Sequence, residues 1–143
     1  MFALSRLALV LFFVLAGIAH LIAPAPYLAI MPASIPWPAA MVMISGIAEI
    51  VGGVGLLFAS TRRAAGAWLI ALLIAVFPAN VNAISTGMAV AGYAVPAWML
   101  WARLPLQLVL LAWVWRTCFR RASRRPRWEL RSERGWKASH LRL

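Results

Sequence analysis

One stretch limits this chain more than any other: the apolar run Ala39 to Phe58, with a single carboxylate, Glu49, at its centre. A helix rising about 1.5 Å per residue needs about 20 apolar residues to cross the hydrocarbon core of a bilayer, so the run reads as a membrane span with Glu49 near the midplane. Glu49 is also the only acidic residue before the C-terminal tail, since Glu129 and Glu133 lie beyond the last apolar run. An acid at membrane depth is costly, and such residues are retained for a partner or for a function.

Composition agrees. The 143 residues are 64% hydrophobic and 12% charged, against about 45–50% and about 25% in ordinary soluble domains. One membrane domain is expected. The net charge of +11 gathers mainly after Trp115 and at Arg62 and Arg63, a distribution that belongs to membrane orientation before nucleic-acid binding. A single cysteine, Cys118, excludes an internal disulfide.

Three further spans complete the pattern. Leu7 to Ile22 is apolar and follows Arg6; it is long for a signal-peptide core and is read as a retained helix. Five prolines between Pro24 and Pro38 mark an ordered loop. A third span starts at Ala64 and runs to Val76, continuing to about Ser85 as a helix bent at Pro78. Gly87 to Pro96 is an uncharged loop, and the fourth span runs from Ala97 or Trp98 to about Phe119. The expected fold is an all-α integral membrane four-helix bundle over residues 1–119, with a basic, disordered or surface-lying tail at 120–143.

Orientation follows from the cations. Arg6, Arg62, Arg63 and the run from Arg116 onward share one side, and the two loops on the other side carry no charge. The positive-inside rule then makes both termini cytoplasmic, in the inner membrane if the protein is bacterial. The stretch from Arg116 to Leu143 holds nine arginines and one lysine against two glutamates, an arrangement suited to anionic lipid headgroups.

Six polar residues fall within or just above the apolar spans: His20, Glu49, Asn80, Asn82, Arg103 and Gln107. Counting along the helices puts Glu49 about 15 Å deep, Gln107 about 13 Å and Arg103 about 7 Å. All six are expected to face one cavity. Gly46, Glu49, Gly52 and Gly53 share a helix face nearly bare of side chains, which invites a close neighbour. Arg103 either pairs with Glu49 or reaches up to the headgroups. Asn80 and Asn82 either join the cluster or satisfy backbone groups released by Pro78. A lone histidine supplies one haem ligand and no second is in sight; no metal site is expected, and phosphate-loop, CxxC and HExxH motifs are absent.

Taken together, several strings resemble the DoxX-like family of small membrane proteins. These are Gly17 to His20 with Pro24, Tyr27 and Met31-Pro32; Ser45-Gly46 to Glu49 with Gly52-Gly53 and Leu56-Leu57; Arg62 or Arg63; Phe77-Pro78-Ala79-Asn80; and Arg103-Leu104-Pro105-Leu106-Gln107. The resemblance covers roughly Leu7 to Trp115 and implies a four-helix membrane protein. Because that family is named for subunits linked to quinone chemistry, it also implies a possible quinone ligand.

Two functions follow as expectations. The first is a scaffold or accessory subunit, partnered by another membrane protein or a second copy, in which Glu49, Arg103 and Gln107 hold the helices together. The alternative is a redox-associated subunit that binds a quinone or another small apolar molecule. Whether the chain is itself an enzyme is left open by its residues.

Overall fold

The computed structural model describes residues 2–119; the basic tail at 120–143 lies outside them. Helix α1 is Phe2–Ile22, α2 is Ala25–Ala29, α3 is Pro38–Gly55 and α4 is Arg62–Thr86; a small hairpin of β1 (Ala89–Val90) and β2 (Tyr93–Ala94) precedes α5 (Ala97–Phe119). The four long helices have the length and apolarity of membrane spans, as the sequence predicts.

Proline and glycine set the boundaries. Pro24 disfavours helix at Ala23 and so stops α1, then caps the short α2, an element inside the stretch expected to be only loop. Pro38 opens α3 after Trp37, whose φ of 49° is left-handed. The turn after Gly55 is closed by Thr61, whose hydroxyl donates to the Gly55 carbonyl at 2.8 Å. Helix α4 continues through Pro78 as one element and ends at Gly87, where φ is 74°. Ala91 and Gly92 both have positive φ, the two-residue turn that matches strand twist in tight hairpins.

The helices run alternately up and down. Helix α1 lies against α3, α3 against α4 and α4 against α5, while α1 and α5 touch only slightly. Small residues close the first three seams. A Cβ added at Gly46 would stand 2.8 Å from the Gly17 carbonyl oxygen, one at Gly52 would meet Leu69, and one at Gly66 would meet Cys118 at 2.7 Å. The α1–α5 seam is held by Trp113, which donates its indole N–H to Ser5 at 2.6 Å.

Two apolar layers result. Toward the arginine-bearing turn, Leu9, Phe13, Leu56, Leu69 and Val114 form the main core. Toward the proline-rich loop, Ile30, Ala83, Met88 and Leu100 form a smaller cap. Membrane packing lacks a hydrophobic drive between helices, so close backbone approach at glycines carries much of the association. The helices pack tightly through the core layer and leave a gap beneath the cap.

Candidate functional site

The gap is a cavity of about 500 Å³, lined by residues of all four long helices, of α2 and of the loop after it. Its walls are mostly apolar, with Phe13, Ile30, Val42, Leu73 and Leu110 among them. His20, Glu49, Asn80, Arg103 and Gln107 also line it, so five of the six predicted polar residues do converge. Asn82 does not. Its amide donates instead to the Ile30 carbonyl at 3.0 Å and ties the proline-rich loop to α4.

Glu49 comes from the buried face of α3, together with Val42, Gly46, Gly52 and Gly53. Its Oε2 lies 3.4 Å from Nδ1 of His20 on α1. That nitrogen is itself 2.8 Å from the Ala16 carbonyl. A carbonyl can only accept, so Nδ1 carries the proton and spends it on the backbone. Glu49 Oε2 therefore stays buried without a hydrogen-bond partner, as does Ser45 Oγ one turn earlier. The His20 ring is fixed on its other side by Tyr27 of α2, stacked at a centroid distance of 3.8 Å and an interplanar angle of 23°.

A second set of polar groups crosses from α4 to α5. Asn80 donates to Gln107 Oε1 at 2.9 Å, and the Gln107 amide donates onward to the Leu73 carbonyl. Leu73 precedes Ile74, whose carbonyl loses its amide donor to Pro78. Gln107 thus bonds the backbone of α4 one residue before the carbonyl that Pro78 leaves without its amide donor. Gln107 is accordingly buried and joined to α4, not to Glu49.

Arg103 takes the upward course of the two expected. Its guanidinium donates from Nη1 to the Met88 sulfur at 3.1 Å, toward the hairpin. Among the described residues the one approach within ion-pair distance of Glu49 is His20. The expected network of Glu49, Arg103 and Gln107 therefore separates into three parts: Gln107 serves the backbone of α4, Arg103 reaches for the cap, and Glu49 is approached by His20.

Residues 8–118 match a family described as Domain of unknown function (DUF8561). The chain belongs to that family. No curated protein and no solved structure matches it. The DUF8561 match takes in all four long helices and every residue of the cavity lining.

Two polar lining residues of this DUF8561 chain lie outside the predicted site set. Ser45 precedes Glu49 by one helical turn and so shares its face, a spacing that carries the signal. Tyr27 lies on the short α2, and its stacking on His20 depends on the path of the chain after α1. Its phenol is held above the usual tyrosine range, first by burial and then by the nearby Glu49 charge, with Arg103 pulling the other way. His20 and Glu49 are two possible metal ligands, and among the described residues no group of three or more His, Cys, Asp or Glu is placed to hold a metal ion.

Proposed function

We propose that this DUF8561 member is a multi-pass membrane protein that binds a small, largely apolar molecule in the cavity beneath its proline-rich cap. The observation that carries the reading is a cavity of about 500 Å³ whose apolar walls end on a buried carboxylate oxygen without a partner. Pockets for small molecules run from about 300 to about 1,000 Å³ and combine apolar walls with a few placed polar groups. An unpartnered buried polar atom is disfavoured, and a ligand that bonds to it offsets that cost.

A quinone is one such molecule, and the DoxX-like resemblance supports it. Arg103, with N–H donors beyond the one turned to Met88, would then hydrogen-bond a quinone oxygen while Glu49 accepts or relays a proton. Extraction of the purified protein from nanodiscs, followed by mass spectrometry, tests the binding reading. A co-purifying apolar molecule at near one per chain is expected, and it is lost when Ala79→Phe fills the cavity. Nothing above the background of empty nanodiscs would refute it.

The scaffold reading draws support from the link through Asn80, Gln107 and Leu73, which joins α4 to α5 without using Glu49. In it the protein would brace another membrane protein or a second copy. For topology we favour cytoplasmic termini: Arg6, Arg62, Arg63 and Arg116 gather at the end opposite the uncharged loops. The basic tail would then meet anionic lipid on that face.

A further inference from the structure

We infer that the cavity selects a neutral amphiphile whose head group, a hydroxyl, donates a hydrogen bond to Glu49. The inference rests on the binding reading above and specifies its ligand. Around the cavity most donors are already committed: Asn80 to Gln107, Gln107 to the Leu73 carbonyl, and His20 Nδ1 to Ala16. Arg103 directs its guanidinium to the Met88 sulfur at the hairpin end. The carboxyl oxygen on the lining left without a partner is Oε2 of Glu49, in a residue only 8% exposed. A carboxyl oxygen that bears no proton accepts, so the head group that satisfies Oε2 donates.

The surroundings argue for a neutral ligand. The walls are mostly apolar, and an ion entering this low-dielectric space would lose its hydration. A hydroxyl satisfies Oε2 without that cost, and Ser45 Oγ, one turn away and also unpartnered, can donate to the oxygen of the same hydroxyl. The apolar walls then take the attached hydrocarbon.

The test uses the full chain in nanodiscs, with equilibrium binding of three radiolabelled probes and subtraction of empty discs. The probes are 4-octylphenol, its methyl ether, which keeps the shape and removes the donor, and cationic 4-octylbenzylamine. Saturable binding of the phenol near one per chain is expected, with the ether weaker by about tenfold and the amine weaker still. Glu49→Leu should bring phenol and ether to within about twofold of each other. Equal binding of phenol and ether by the unmodified protein would overturn the donor requirement and leave cavity binding standing. An amine that binds more tightly than the phenol would overturn neutrality. Saturable binding of none of the three would remove this inference, and absence of any co-purifying molecule would remove the binding reading as well. No variant need fold for the first comparison to decide.

Discussion

Nδ1 of His20 stands 3.4 Å from Oε2 of Glu49, across the seam between α1 and α3, yet it gives its proton to the Ala16 carbonyl at 2.8 Å. The approach is close because Gly17 and Gly46 let the two backbones touch one turn away. The ring is held from its other face by Tyr27. Histidine and glutamate are thus positioned by three separate elements without being bonded to each other. That leaves the carboxylate oxygen for something that enters the cavity.

If Glu49 serves a ligand and not the fold, its removal should not weaken the protein. Leaving a buried polar atom unpaired costs about 1–3 kcal/mol, so Glu49→Leu is expected to melt in detergent at or above the temperature of the unmodified protein, and Glu49→Gln, which keeps an uncharged polar head there, close to it. Retention of a co-purifying molecule should fall at the same time. A drop in melting temperature of more than about 5 °C in both variants would instead assign Glu49 to holding the helices.

How much of this was legible beforehand varies with the physics of each residue. Span positions rest on run length and on proline breaks, both local, so the four helices and the convergence of His20, Glu49, Asn80, Arg103 and Gln107 follow from counting. Pairings do not. Arg103 has a long side chain with two acceptable directions, and the choice of Met88 depends on where the hairpin lies. Asn82 sits only two residues after Asn80, about 200° around a helix, so the two amides were never placed to serve one cavity. Helix α2 is hidden because its five residues are too few to show a periodicity.

The Gly17 and Gly46 contact offers a test of packing. A Cβ on Gly46 would stand 2.8 Å from both the Gly17 carbonyl oxygen and the His20 Cβ. Backbone cannot yield as a flexible side chain does, so Gly46→Ala should cost about 1–3 kcal/mol and part α1 from α3. At Gly53 the added carbon would stand 3.2 Å from the side chains of Phe13 and Val14. Gly53→Ala is expected to cost less, and unfolding in a graded denaturing detergent ranks the two.

Gln107 and Asn80 should behave as a coupled pair. Gln107→Leu strands the Asn80 amide and removes the donor to Leu73 beside the proline break, with an expected loss of about 1–3 kcal/mol. Once that is lost, Asn80→Leu should add little. A double-mutant cycle on unfolding midpoints is expected to give a coupling of about 0.5 kcal/mol or more, and strict additivity would contradict the bond.

Tyr27 gives the alkaline behaviour. Burial, reinforced by Glu49 and partly opposed by Arg103, raises its phenol above the ordinary value of 10.0. Below that pH the folded and unfolded states both keep the proton, and the contribution of Tyr27 is fully present. As the pH rises further the unfolded chain ionises first, so stability falls until the folded phenol titrates too. Tyr27→Phe should therefore lose less melting temperature than the unmodified protein between about pH 9 and about pH 11. An equal loss in both would separate Tyr27 from the effect.

Asn82 ties the cap to the bundle and so should govern access to the cavity. Its amide bonds to the Ile30 carbonyl at 3.0 Å, and Tyr27, Ile30, Met31 and Ile35 of the same segment line the cavity roof. Asn82→Ala removes one hydrogen bond, worth about 1 kcal/mol, from a segment otherwise anchored by Ile30 in the upper apolar layer and by the stack on His20. The core layer around Phe13 and Val114 makes no use of that bond. Amide exchange measured by mass spectrometry should therefore speed up about fivefold across residues 27–35 while peptides from the core of α1 and α5 stay unchanged, and exchange of a bound probe with the bilayer should quicken in step. Faster amide exchange without faster probe exchange would mean that ligands enter between the helices and not beneath the loop.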